Sequence, residues 1–221
     1  MRRYSFALTV AILLVATMTI GAAAVAARVS SGPQRDGTPN GGPNAPDKHF
    51  TASPFEFDPT HSGIVVGDWV RHLGLPDSQS DQRFGLLLSK NGTTTTNASA
   101  GVVFHGVKGI HVTELGYDLR MGGHCGAGAP RFNVVTTDEV THFIGCASGT
   151  RTATSNPGWE RVRFSPTSVT QAFPPISPSE TVESIAIVFD EGTDTGPDHS
   201  GMVVLDNLDI NGVLIGGPGD H

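Results

Sequence analysis

Lysine is nearly missing from this chain, with three in 221 residues, and Lys plus Arg together number 14 against 21 Asp plus Glu. A formal net charge of −7 leaves no basic stripe to displace counterions from phosphates. Nucleic acid and anionic membrane surfaces are therefore excluded as partners. Catalytic signatures are missing as well. There is no GxSxG elbow, no HExxH, no Walker loop and no dinucleotide fingerprint. The glycine-rich run GGHCGAGAP (residues 122–130) follows a strand pattern without opening a helix, so it reads as a long turn and not as a phosphate cradle. Nine histidines are scattered with no recurring ligand spacing. Outside the N-terminus no segment has an amphipathic helical period.

Long apolar runs are confined to that N-terminus. Arg2 and Arg3 precede an apolar stretch from Phe6 to Ile20, and the small residues GAAAVAA follow. This is the pattern of a secretory signal peptide, with an apolar core short for a membrane span; the alternative is an uncleaved N-terminal anchor, which the flanks fit less well. Cleavage after Ala24, Ala26 or Ala27 fits, and we place the boundary at residues 1–26. Losing Arg2 and Arg3 takes the formal charge from −7 to −9. The mature protein is expected to be secreted and extracellular, with no membrane attachment after cleavage. Residues 27–48 are dense in Gly, Pro, Asn and Ser and hold almost no apolar side chain. They cannot bury enough surface to offset their ordering entropy and read as a disordered linker. A domain over 49–216 and a disordered tail over 217–221 complete the division.

Within the domain, short β-branched runs alternate with Gly, Pro and Asn/Asp clusters. Strand candidates are 64–70, 84–90, 101–105, 111–121, 131–137, 140–146, 159–164, 182–190 and 202–210. The pair 131–137 and 140–146 flanks Asp138-Glu139 with hairpin spacing. About nine strands without helices predict an all-β, antiparallel sandwich of jelly-roll type.

Two cysteines, Cys125 and Cys146, are expected to form a disulfide in an oxidising compartment. Closing that loop of about 20 residues stabilises by roughly 3 kcal/mol in the chain-entropy model. The rival is metal binding by His124, Cys125, His142 and Cys146, whose spacing matches no standard zinc pattern.

The most unusual stretch is FDEGTDTGPDHSGMVVLDNLDING (residues 189–212), an acidic loop running into an apolar strand. Strict alternation would put Met202, Val204, Asp206, Leu208 and Ile210 on one face. The Asp206 carboxylate then sits among apolar side chains and must be answered by a cation, an arginine or backbone N–H groups. The loop offers Asp190, Glu191, Asp194 and Asp198, the hydroxyls of Thr193 and Thr195, and Gly192 and Gly196 for sharp turns. That oxygen-rich set suits a structural calcium, although the loop is not an EF-hand. The alternative is a solvated loop, with Asp206 paired to Arg161 or Arg163.

For ligand binding, the strand 159–164 places Trp159, Arg161 and Arg163 on one face and Val162 and Phe164 on the other. Arginines are seldom buried without partners, so the Trp159 face is expected to be solvated and to suit a glycan. Trp69, beside Asp68 and Arg71, is a second candidate. The alternative is that both tryptophans are core packing. Asp118, Glu160, Glu183 and Glu191 could serve a hydrolase, but no spacing pairs them. Asn91-Gly-Thr93 and Asn97-Ala-Ser99 are glycosylation sequons.

The closing VVLDNLDINGVLIG resembles the terminal strand of jelly-roll modules similar to carbohydrate-binding modules and galactose-binding-like domains, where an apolar run leads to Asp-Asn. FEFDPTHSG, with Glu56 and Asp58, resembles the first-strand acidic segment that shares a structural calcium with that aspartate in several such families. The resemblance covers two short stretches. It implies a non-catalytic glycan-binding module, with Asp206, Glu56 and Asp58 as calcium ligands. The first alternative is a structural or adhesive extracellular protein with protein partners. The second is a small hydrolase of glycans or esters.

Overall fold

The computed structural model describes residues 49–76, 83–92, 97–190 and 201–219. The segments expected to be signal peptide and linker, and the acidic residues Glu191, Asp194 and Asp198, lie outside these.

Twelve strands make up the described domain: β1 (Thr51–Phe57), β2 (Val65–Arg71), β3 (Phe84–Lys90), β4 (Ser99–His105), β5 (Leu115–Arg120), β6 (Arg131–Thr136), β7 (Thr141–Gly145), β8 (Thr150–Ala153), β9 (Trp159–Phe164), β10 (Val182–Phe189), β11 (Met202–Ile210) and β12 (Val213–Ile215). The nine expected strands are all present. The three additional ones lack an apolar alternation. β1 contains Pro54 and Glu56 and survives as an edge strand, where a missing N–H is tolerated. β8 is exposed at every residue. β12 pairs Val213 with Ile210 across Asn211-Gly212, both at positive φ (56° and 83°), which is the favoured two-residue hairpin turn.

The strands form two antiparallel sheets packed as a sandwich. One has the order β1-β4-β10-β6-β7; the other runs β2-β3-β11-β5-β9-β8, with β12 beside β11. The pairs β3·β11, β4·β10, β5·β9 and β6·β7 alternate between the two sheets. Four such nested pairs are the winding of a jelly roll, with β1, β2 and β8 added at the edges.

Between the sheets lie Leu86, Leu88, Val102, Ile185, Ile187, Leu205 and an aromatic cluster. Tyr117 stacks on Phe132 at 5.7 Å and meets Phe164 edge-on at 5.6 Å. Val162 and Phe164 point into this core, so the opposite side of β9 faces outward. The Asp138-Glu139 hairpin is present between β6 and β7, with Glu139 at φ 67°.

Cys125 and Cys146 are joined, with Cα atoms 5.2 Å apart. The histidines of the rival metal set lie elsewhere. His124 packs edge-on against Phe189 at 5.6 Å. His142 Nδ1 bonds the Pro174 carbonyl at 2.8 Å, and its Nε2 bonds Thr136 Oγ1 at 3.0 Å.

Candidate functional site

The outer face of the seven-stranded sheet carries charge where a sandwich ordinarily presents solvated side chains. Its centre is β11. Register slips between Asp206 and Asp209 along the β5 pairing, and Asn207 takes a positive φ of 45°. This β-bulge inserts one residue and reverses the alternation. Val203 and Leu205 point into the core before it, and Leu208 and Ile210 after it. Asp206 therefore shares the outer face with Val204, and not with Leu208 and Ile210 as strict alternation required. The period-2 rule fails at the bulge, which the polar residues Asp206, Asn207 and Asp209 do not by themselves announce.

Asp206 is buried, and backbone N–H groups answer it. Its Oδ2 accepts from Leu75 N at 2.6 Å and its Oδ1 from Asn207 N at 2.6 Å. The first bond ties down residues 72–76, which leave β2 and fold over the outside of the sheet. Gly74 is required for this approach. A Cβ there would collide with the Phe84 carbonyl and Asp206 Oδ2.

Beside Asp206, Asp118 of β5 is 0% exposed. Arg161 lies directly across from it in the β5·β9 register and grips it with two bonds, Nε to Oδ1 at 2.9 Å and Nη2 to Oδ2 at 3.1 Å. Asn207 Nδ2 adds a third bond to Oδ2 at 2.9 Å. The Asp118 hydrogen bonds hold the Arg161 pKa above its ordinary value. Arg163 pairs with Asp209 at 3.0 Å and donates to the Tyr117 and Val162 carbonyls. Burial pushes the Arg163 pKa down, opposed by Asp209; burial likewise pushes Asp209 up, opposed by Arg163. Bidentate, hydrogen-bonded arginine is the form in which buried carboxylates are tolerated.

Trp159 stands on this same outer face but is not solvated. It is 5% exposed and packs with Leu75 and Val204, with Leu73 and Leu87 against them. The segment tied down by Asp206 is its cover. The expected open stacking surface is thus replaced by a small second apolar cluster outside the sheet. Trp69 is buried in the main core, its Nε1 donating to the Ala52 carbonyl at 3.3 Å.

Between the tied segment, the β8 edge and β12 lies a cleft of about 360 Å³. Arg161 and Asn207 line it, with Thr152, Thr154 and Ser155 on one side and Leu75 and Leu214 on the others. The side chain of Arg161 is 42% exposed. Its Nε and Nη2 hold Asp118, and its Nη1 has no partner among the described residues.

The remaining candidates are not drawn to this cleft. Glu56 and Asp58 belong to the edge of the five-stranded sheet. Glu56 accepts from Gly67 N at 3.0 Å, and Asp58 closes its own turn by accepting from Ser62 Oγ and Gly63 N. Asp190 pairs with Arg131 at 2.7 Å. No group of three or more His, Cys, Asp or Glu able to hold a metal occurs among the described residues. Glu56, Asp58 and Asp206, which the resemblance joins around one calcium, are here engaged separately.

Of the cleft lining, sequence reasoning named Arg161 and passed over Asn207, Leu75, Leu214 and the hydroxyls of Thr152, Thr154 and Ser155, as it passed over Asp118 as the support beneath Arg161. The available signal for that support was a carboxylate and an arginine at matching positions of two alternating strands. The chain matches no protein-family model, no curated protein and no solved structure.

Proposed function

We propose that this is an exported, non-catalytic binding module for glycans, and that the cleft outside the seven-stranded sheet is its site. The observation that carries this reading is the Arg161 guanidinium, fixed by Asp118 with one edge turned to a hydroxyl-lined cleft. Saccharide hydroxyls are recognised by donors and acceptors that do not reorganise on binding, because held side chains lose little further entropy. Asp118 and Asp206 are occupied in holding Arg161 and Leu75, and so serve as supports and not as an acid/base pair. The Arg161 charge is balanced by Asp118, which suits uncharged hydroxyl groups at this point of contact.

The test is a panel of polysaccharides and oligosaccharides with the secreted protein. A ligand whose affinity falls about tenfold in Arg161→Lys, which keeps the charge but loses the fork, supports the site. Binding by wild type that ignores this substitution moves the site elsewhere, and a blank panel defeats the glycan reading.

One observation favours an extracellular protein partner instead. The outer face of the five-stranded sheet presents Phe143, Phe173 and Val103, at 45%, 57% and 38% exposure, with no segment tied over it among the described residues. Phe143 and Phe173 are neighbours at the β7 edge, and exposed apolar side chains of this kind are a common mark of protein contact. Retention of a blank-panel protein on other surface proteins would support that reading. A structural calcium would have to rest on residues 190–198, of which only Asp190 is described. Melting in excess calcium and in chelator is its test, since a ligand that binds the native state raises Tm.

A further inference from the structure

Leu214 is an exposed apolar side chain that the fold holds firmly in place. It is the middle residue of β12 and is 43% exposed. Single exposed leucines are ordinary on a surface, but the turn that presents this one is pinned to the chain just before β5. Asn211 Oδ1 accepts from Thr113 N at 2.8 Å, Thr113 Oγ1 at 3.0 Å and Glu114 N at 3.2 Å. Asn211 Nδ2 donates to the His111 carbonyl at 2.8 Å, and Gly212 N closes the turn on Asp209 Oδ1 at 2.7 Å.

Residues directly opposite in a sheet share a face. Leu214 lies opposite Asp209, which pairs with Arg163 on the outer face, so Leu214 is turned outward and lines the cleft. In the neighbouring row Asp206, Asp118, Arg161 and Thr152 stand opposite one another in turn across β11, β5, β9 and β8. The row covers three strand spacings of about 4.8 Å, so its ends are roughly 14 Å apart. The cleft therefore has an order. Leu214 and Leu75, the latter held by Asp206, stand at the β11–β12 end. Thr152, Thr154 and Ser155 stand at the β8 end, with Arg161 between. The Thr154 hydroxyl is spent on the Asn156 and Trp159 carbonyls, which leaves those of Thr152 and Ser155 for a ligand. No aromatic ring lines the cleft among the described residues, and residues 27–48, 77–82, 93–96, 191–200 and 220–221 contain no Phe, Trp or Tyr. A pyranose has no flat ring here on which to stack its C–H face. The apolar contact on offer comes from branched aliphatic side chains, which pack around a methyl group better than along a ring.

We propose that Leu214 and Leu75 form a methyl-binding subsite at the β12 end of the cleft, and that the saccharide bound there carries a methyl group, as a 6-deoxyhexose or an acetylated residue does. This rests on the glycan reading of the cleft and adds the class of sugar. The hydroxyls of the same sugar meet Arg161 Nη1 and the Thr152 and Ser155 side chains. Leu214 sets the specificity, because Leu75 is buried against Trp159 and Val204 and offers the ligand little surface. Burying one methyl group is worth about fourfold in affinity.

The test titrates the whole secreted chain with oligosaccharide pairs that differ at one group. One arm sets 6-deoxyhexose residues against the 6-hydroxyl sugars of the same configuration; the other sets N-acetyl against N-formyl hexosamines. In one arm the methyl-bearing member should bind at least about fourfold tighter, and the arm that responds identifies the source of the methyl group. Saturation-transfer NMR should place the strongest signal on that methyl. Leu214→Ser should bring the methyl-bearing affinity down to that of its partner, and Leu214→Met, which keeps an apolar side chain of similar volume, should keep most of the preference. Equal affinity within both pairs overturns the proposal while leaving the glycan reading intact. A preference that survives Leu214→Ser also overturns it, since the methyl group is then held elsewhere. A panel in which no member binds defeats the glycan reading and the proposal together. Because Leu214 is exposed, an unchanged Tm checks that its variants fold.

Discussion

The two sheets of this sandwich bury comparable apolar faces against each other, yet their outer faces follow opposite rules. Outside the five-stranded sheet, Val103 and Phe143 stand open, Asn133 is half-buried, and Lys108 pairs with Glu183 at the surface. Outside the seven-stranded sheet, Asp118, Asp206, Asp209 and Trp159 are all buried. The difference follows from one bond. Asp206 fixes Leu75, the fixed segment covers Trp159 and narrows the space over Arg161, and carboxylates beneath that cover must then be fully partnered. Burial of charge here is a consequence of building a cleft on a sheet face.

The largest expected effect comes from breaking the Arg161–Asp118 pair. Arg161→Ala leaves the fully buried Asp118 carboxylate with Asn207 as its remaining side-chain donor. It should cost about 3–5 kcal/mol in chemical denaturation, the range for one partner removed from a buried pair. Lys108→Ala, which removes the surface pair Lys108–Glu183 on the other side of the sandwich, should cost within about 1 kcal/mol. Equal losses at the two positions would mean that the outer face of the seven-stranded sheet is as solvated as its counterpart.

Next comes the apolar part of the cover. Trp159→Ala should cost about 3 kcal/mol, near the low end for a buried aromatic because its cluster of Leu75 and Val204 is small. Phe143→Ala, truncating a half-exposed ring on the other sheet, should cost about 1 kcal/mol. Gly74→Ala falls between them. It drives a methyl group into the Phe84 carbonyl and Asp206, and loss of the Leu75–Asp206 bond should cost about 1–3 kcal/mol. If Gly74→Ala is neutral, Asp206 does not hold the cover.

How much of this was readable follows the same division. The inner faces obey period 2, so Leu115, Tyr117 and Leu119, or Val162 and Phe164, could be assigned to the core from spacing alone. The split of β9 into an Arg face and an apolar face was equally legible. What the sequence did not reveal was that a polar face need not be a solvated one. Trp159 is covered by Leu75, a residue 84 positions away in the chain, and the bond that brings it there depends on a bulge at Asp206-Asn207. Bulges leave little trace in a run such as VVLDNLDI, where every residue on either side is apolar or paired. The edge strands β1 and β8 were missed for a related reason: an edge needs no buried face, so it has no alternation to read.

The smallest effect, and the sharpest in sign, concerns two aspartates on opposite sheets. Asp209 is buried beside Arg163, and burial raises its pKa above the ordinary 3.8 despite that arginine. Asp138, in the β6–β7 hairpin, is lowered below 3.8, chiefly by the Thr136 hydroxyl at 2.5 Å. A raised folded pKa means that the folded state holds the proton more tightly than the unfolded one. The Asp209 contribution is therefore present below about pH 3.8 and lost as pH rises through its folded value. A lowered pKa reverses this: the Asp138 contribution is present above 3.8 and lost as pH falls through its folded value. Denaturation midpoints of Asp209→Asn and Asp138→Asn, compared with wild type between pH 3 and pH 6, should accordingly diverge. As pH rises, Asp209→Asn gains on wild type and Asp138→Asn falls behind it. Carboxyl NMR titration gives the same contrast directly, with Asp209 titrating above 3.8 and Asp138 below it. Two curves moving in parallel would show that the cover over the seven-stranded sheet lets water reach Asp209 as freely as it reaches the hairpin.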